Sequence, residues 1–306
     1  MKAIKLLMIA TVSVILAACG GGGDDAPVVK PPVVNPDPPK PPPPPPNVPV
    51  GNWKGTSDYF DTERLVVLPS GVYYTSSSID LSKIGSRFSD MTILKWSHGN
   101  HTTNNDDGRM FSKNAVEFGL VWKDPTWNNP SYGGSWFVST PELTAVYKPQ
   151  NYLNGYVQGS FAAWNFQTTY NFTSSFDSSF TSTPAISKVA TRFSNSLFLV
   201  GVKQNLPSGT KLGIPIIDAA TFTITPAGEI YIKGMTGNCE LLGNLSPSAQ
   251  GNYYNATVTF GTYCVGLIRY TFKGVLVEVE QNGQKGVIFW FGQPQDAVSG
   301  VIAAVR

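Results

Sequence analysis

The chain has 306 residues, with 22 Lys plus Arg against 20 Asp plus Glu and 12% aromatic residues beside only 14% charged ones. Ordinary soluble proteins carry about 25% charged residues, so this chain is poor in charge and rich in rings. From residue 51 onward 18 basic residues meet 17 acidic ones, and no basic patch points to nucleic acid.

The chain opens with Lys2 and Lys5 ahead of an apolar segment from Leu6 to Ala18. That segment is short for a bilayer span, which needs about 20 apolar residues, and has the form of a secretory signal. Its end, Leu16-Ala17-Ala18-Cys19, resembles the lipobox of bacterial lipoproteins: Leu, two small residues, then Cys. In that family the cysteine sulfur receives a diacylglycerol, the signal is cut before it and the new amine is acylated. Carried over, residues 1–18 are a lipoprotein signal peptide and Cys19 is the mature, lipidated N-terminus. Small residues let a peptidase approach the backbone, and a thiolate is the natural nucleophile for lipid transfer. The competing reading is an ordinary signal peptide with a chance cysteine. Several acyl chains anchor stably where one is marginal. In the lipobox family an Asp after the Cys favours the inner membrane; Gly20 stands there, which implies the outer membrane. Periplasmic or surface facing stays open.

Residues 19–50 read as an acylated Cys and a Gly/Pro-rich linker. Gly20–Gly23 supply a swivel, and 13 of the 24 prolines fall between Pro27 and Pro49. Such a segment cannot build a core and adopts extended polyproline II, which over 24 residues reaches about 75 Å. A PxxP ligand for a recognition domain is the alternative reading.

The remainder reads as all-β: two tandem antiparallel meander barrels or sandwiches after a disordered Pro-rich linker, an N-terminal β domain over 51–180 and a C-terminal one over 181–306. "LVVLPSGVYY" (65–74) and "FTITPAGEIY" (222–231) share one form, a β-prone run, Pro-x-Gly, and another β-prone run. Proline sets φ at a turn's entry and glycine accepts its left-handed exit, so each is a hairpin, and the pair suggests a tandem repeat. "DLSKIGSRF" (80–88) reads as a short helix, and "SFAAWNFQTTYNF" (160–172) as two strands closing the first unit. In the second half, Val258 and Phe260 alternate with threonines. Ile268, Tyr270 and Phe272 alternate with Arg269 and Thr271, and Val275, Val277 and Val279 lie opposite Glu278 and Glu280. Period-two alternation predicts strands with one buried and one wet face. "QNGQKG" (281–286) is a turn and "VIFWFG" a more deeply buried strand.

Cys239 and Cys264 share the parity of their apolar neighbours. The bacterial envelope is oxidising, and the third cysteine is used by lipid. A Cys239–Cys264 disulfide is expected, worth roughly 3 to 4 kcal/mol in the chain-entropy model, against two separate buried thiols.

Catalytic patterns are sparse. His98 and His101, with Asp106 and Asp107 nearby, could approach one ion, but zinc needs three or four ligands and the stretch "SHGNHTTNNDDG" reads more simply as a polar hairpin tip. Glu278 and Glu280 could suit a glycosidase's paired carboxylates, though a solvated strand face explains them. No G-x-S-x-G elbow precedes a helix. The expectation is no enzyme, no metal and no cofactor. The suggestive stretch is "VWKDPTWNNPSYGGSWFV" (121–138), whose strand-like ends flank a loop carrying Trp127 and Tyr132. Aromatics on a stiff loop can stack on a sugar or fill a partner's pocket, or fold back and cover a barrel end.

As a whole the chain resembles proteobacterial outer-membrane lipoproteins with a lipobox, a Pro-rich tether and tandem small β-barrel or β-sandwich domains. Beyond the lipobox, the region "TFTITPAGEIYI" through "GNCELLGNL" to "NYYNATVTFGTYC" carries that resemblance; the first unit departs from it by lacking the cysteine pair. The expected role is a membrane-anchored, non-enzymatic binding module for a protein or glycan partner. The alternatives are a carrier of a small apolar ligand inside a β-barrel, and an accessory or regulatory factor of an envelope machine such as a pilus or secretion system.

Overall fold

The computed structural model describes residues 47–58, 60–79, 81, 93–113, 115–121, 135–161, 166–206, 209–234, 239–264, 267, 270–292 and 298–306. The signal, Cys19, nearly all of the tether and most of the expected 80–88 helix lie outside these residues.

Eleven strands build the first sheet: β1 (Gly51–Ser57), β2 (Glu63–Val67), β3 (Val72–Ser77), β4 (Ile93–Asn100), β5 (Thr102–Asn104), β6 (Arg109–Ser112), β7 (Val116–Val121), β8 (Ser135–Ser139), β9 (Glu142–Lys148), β10 (Tyr152–Phe161) and β11 (Phe166–Phe176). Their order is β5-β6-β9-β10-β11-β1-β2-β3-β4-β7-β8. Both strand pairs expected from the sequence are present. Phe161 faces Phe166 across the β10–β11 hairpin, and Val121 faces Ser135 across β7–β8. A connecting segment follows, with a 3-10 turn (Ser178–Thr181) and the short helix α1 (Ile186–Val189).

Eight further strands close into an antiparallel barrel: β12 (Arg192–Leu206), β13 (Gly209–Ile224), β14 (Glu229–Gly234), β15 (Glu240–Pro247), β16 (Tyr254–Phe260), β17 (Thr271–Gln281), β18 (Gln284–Gly292) and β19 (Val298–Val305). The two Pro-x-Gly motifs make one and the same turn. Gly71 N–H donates to Leu68 O and Leu68 N–H to Val72 O; Gly228 N–H donates to Thr225 O and Thr225 N–H to Glu229 O. Both glycines have positive φ, 82° and 86°, as the bulge after a type I turn requires. Each turn joins the second strand of its sheet to the third.

Rings fill the barrel. Phe193, Phe198, Phe222, Phe260, Phe289 and Phe291 are fully buried inside it, and Phe222 stacks between Phe193 and Phe289 at 5.5 and 6.4 Å. The connecting segment covers one end: Val189 joins the barrel core, and the Tyr254 hydroxyl lies 2.9 Å from Ala185 O.

The barrel's outer face is divided. On β14–β16 its residues are largely polar, with Lys233, Asn244, Asn255 and Thr257 exposed. On β17 the change happens within one strand: Thr271 and Lys273 are exposed, whereas Val275, Val277 and Val279, of the same parity, are buried. These valines join Ile288 and Trp290 of β18, Val301 and Ala303 of β19, and Leu197 and Leu199 of β12 in one apolar layer. The first sheet completes it with Val66, Tyr74, Leu94, Trp96, Phe118 and Leu120. Polar pins cross the layer. Trp96 Nε1 donates to Ser299 O at 3.2 Å, Trp290 Nε1 to Thr75 O at 3.1 Å, and the Tyr74 hydroxyl to Gly292 O at 3.0 Å.

Two strand readings need correction. Of the expected alternating run, Ile268 and Arg269 lie outside the described residues; β17 starts at Thr271, and Tyr270 is exposed just ahead of the strand. The β17 face opposite the valines is the barrel interior: it carries buried Leu276, and Glu278 is half-buried with Oε1 3.2 Å from the Tyr254 hydroxyl. Only Glu280 is exposed, so both faces of this strand are used.

Gly201 on the barrel leaves room for Phe118 of the sheet: an added Cβ would lie 2.1 Å from its Cδ1. Gly201→Ala is expected to destabilise the protein by about 2 kcal/mol through overpacking, read as a shift of the urea midpoint with unchanged m-value.

Candidate functional site

Trp127 and Tyr132 lie outside the described residues. Cys239 and Cys264 form the expected disulfide, with Cα atoms 4.5 Å apart. His98 is fully buried at the sheet–barrel layer, its Nδ1 2.9 Å from Ser299 Oγ. His101 is held by its backbone N–H to Gly71 O, and burial lowers its pKa from the usual histidine value. Asp107 pairs with Arg109 at 3.4 Å at the exposed tip between β5 and β6. Among the described residues no three His, Cys, Asp or Glu side chains gather as a metal would need.

A polar cluster that sequence reasoning did not single out lies inside the curled first sheet. On β2, β3, β4 and β7 the residues of one parity face the barrel: Val66, Tyr74, Leu94, Trp96, His98 and Phe118. Those of the other parity, Glu63, Thr75, Ser77, Lys95, Ser97 and Glu117, turn away from it. Register then sets them in two adjacent rows. One runs Glu63–Ser77–Lys95, and the other Leu65–Thr75–Ser97–Glu117–Ser139. Charged residues alternating with apolar ones read as a wet face; here β9, β10 and β11 curl over that face and bury it together with Leu143, Val157, Tyr170 and Phe172.

The two carboxylates are treated unequally. Glu117 Oε1 lies 3.5 Å from Lys95 Nζ and accepts from Ser139 Oγ at 3.0 Å. Lys95 is also held over the rings of Tyr170 and Phe60, at 4.3 and 4.9 Å from their centroids, a cation–π arrangement that strengthens when desolvated. Glu63 Oε2 accepts from Ser77 Oγ at 2.9 Å, while Oε1 is sealed from solvent without a hydrogen bond. Burial therefore raises the Glu63 pKa from 4.5 to about 7; Ser77, Lys95 and the nearby Ser57 hydroxyl oppose the rise and Glu117 adds to it. Burial likewise raises Tyr170 and Tyr73, with Glu117 contributing to both. The space between these groups is about 20 Å³, enough for one water. The arrangement can hold a proton near neutral pH, and its size admits water rather than a substrate.

A second feature lies at the barrel end opposite the connecting segment. Cys264 lies four residues after the end of β16, and the disulfide ties it to the residue just before β15, where Gly261 N–H also donates to Glu240 O. Tyr263, beside Cys264, and Tyr270, just before β17, are 65% and 60% exposed, and Leu242 on β15 is 52% exposed. Rings so open on a disulfide-tied turn are unlike the buried rings elsewhere in the barrel.

Folding binds the Glu63 proton more tightly than the unfolded chain does. The stability it contributes is thus present below pH 4.5, falls as pH rises, and is lost above about 7. The part of the side chain that reaches solvent limits the total to roughly 2 kcal/mol. Glu63→Gln is expected to remove this component of the fall in melting temperature between pH 5 and pH 8, checked by calorimetry at both. Compared with protein-family models, curated proteins and solved structures, the chain matches none.

Proposed function

We propose that this chain is a lipid-anchored protein of the bacterial outer membrane that works as a non-enzymatic binding module for a protein or glycan partner. The lipobox-like Leu16–Cys19 and the proline-rich stretch after it support an anchor and a spacer. The observation that carries the binding reading is the exposed pair Tyr263 and Tyr270, the first of them adjoining the Cys239–Cys264 bridge. Tyrosine brings a large amphipathic surface at low entropy cost, and a crosslinked turn loses little further freedom on binding. The loop bearing Trp127 and Tyr132 is a second candidate for partner contact.

The aromatic filling of the barrel weighs against an apolar ligand carried inside it. Seven buried phenylalanines fill the interior where such a ligand would sit, and a barrel of eight strands has room for side chains or one small ligand.

Two measurements test the reading. The mature protein from bacterial membranes is expected to begin at a diacylated, N-acylated Cys19 by mass spectrometry; an intact leader or a free thiol there would end the anchor proposal. The double variant Tyr263→Ser/Tyr270→Ser is expected to keep its melting temperature and lose crosslinked partner or immobilised-glycan capture by about 30-fold, as for truncated interface hot spots. Undiminished capture by the folded double variant would overturn the assignment of this turn.

A further inference from the structure

The β17–β18 hairpin turns on Asn282 and Gly283, just beyond the last cross-strand pair, Gln281 with Gln284. Both turn residues have positive φ, 53° and 77°, the form that a two-residue hairpin loop takes and that Asn and Gly adopt most readily. The tip is exposed, and a Cβ added to Gly283 would meet nothing within 4 Å. The chain's other Asn-Gly pair, Asn154 and Gly155, is held differently. It lies inside β10, laddered to β9 and β11. Asn154 Oδ1 accepts from Ser174 N–H at 3.1 Å, and a Cβ on Gly155 would lie 2.1 Å from Thr144 O.

The Asn282 tip is also where the first sheet grips the end of the barrel. Leu81 N–H donates to Gln281 Oε1 at 3.1 Å, and Arg64 Nη2 donates to Glu280 O at 3.2 Å. Leu81 itself is fully buried and packs beside Gly286.

We propose that Asn282 is a self-modification site: its side chain closes on the Gly283 nitrogen and reopens as isoaspartate, and the lengthened main chain releases this grip.

The Gly283 amide proton passes to a solvent base, and its nitrogen bonds to Asn282 Cγ. The Cγ–NH2 bond breaks and ammonia leaves, so that a cyclic imide joins the two residues. Water then opens the imide. Opening at Cγ gives aspartate, and opening at the main-chain carbonyl gives isoaspartate. Water is consumed, ammonia is released and nothing is oxidised or reduced. Gly283 suits the attack because no Cβ shields its nitrogen and the space around it is open to solvent. At Asn154 the bond to Ser174 and the packed ladder oppose the same closure. Isoaspartate puts an extra carbon into the main chain. A two-residue loop fixes the register of its strands, so the extra atom displaces Gln281 or Gln284, and Gln281 is the residue that holds Leu81. This chemistry is independent of whatever partner the protein binds.

The test is ageing of the full-length acylated protein in detergent at mildly alkaline pH. Tryptic peptide 274–285 is followed by mass spectrometry beside a synthetic peptide of the same sequence. The peptide from the protein is expected to shift by the mass difference between an amide NH2 and a hydroxyl, chiefly as isoaspartate, while Asn154 stays intact. In the aged fraction, exchange of the Leu81 amide hydrogen should quicken about fivefold, as for one hydrogen bond lost. Freshly prepared Asn282→Asp, which adds the charge without the extra carbon, should keep Leu81 protected. An unchanged protein beside a converted synthetic peptide, or equal conversion at Asn154, overturns the proposal. Conversion without faster Leu81 exchange, or equally fast exchange in fresh Asn282→Asp, overturns the release of the grip.

Discussion

An eight-stranded barrel can satisfy its own backbone, yet this one leaves half of its outer wall apolar. Val275, Val277, Val279, Ile288, Trp290, Val301, Ala303, Leu197 and Leu199 would face water if the barrel stood alone. Burying such a surface is the largest driving force available to a chain so poor in charge, and the first sheet is what buries it. The requirement explains why Trp96, Phe118 and Tyr74 share one parity, why the opposing barrel position is Gly201, and why Trp96 and Trp290 each send an indole N–H across the layer to a backbone carbonyl. Sheet and barrel thus belong to one compact unit spanning residues 45–306.

The sheet meets a different constraint on its other side. The barrel interior is filled with phenylalanine, and its strands pair in a closed ring. The interior of the curled sheet contains Glu63, Glu117 and Lys95 beside Tyr170 and Phe172. Buried charges need fixed partners, and the cross-strand rows provide them for Glu117 and Lys95 but only in part for Glu63. A mainly aromatic interior and a partly charged one thus lie on either side of the shared apolar layer.

The barrel ends differ as well. One is covered by the connecting segment, where Phe180 stacks on Tyr253 at 5.7 Å and Asn252 N–H donates to Phe180 O. The other carries the disulfide and the open tyrosines. A covered end contributes stability and an uncovered, crosslinked end supplies a surface, which is why the proposed binding role rests on the second.

Much of this was legible in local sequence. The Pro-x-Gly pair specified two identical bulged turns because proline and glycine act on their own φ angles, independent of distant contacts. Parity placed Val258, Phe260, Cys239 and Cys264 in the barrel core, and the cysteine pairing followed. Period two also separated the faces of β16 and β17, but it could not say what would cover them. The cluster of Glu63, Lys95 and Glu117 left no such signal and came together only when β9–β11 curled over the sheet. Glu278 read as wet until the barrel closed around it, and Tyr270 read as core although it lies exposed ahead of β17. Local pattern determines which residues share a face, since side chains alternate along any strand. Which face meets water is decided only when strands far apart in the chain come together, and that is a property of the tertiary structure.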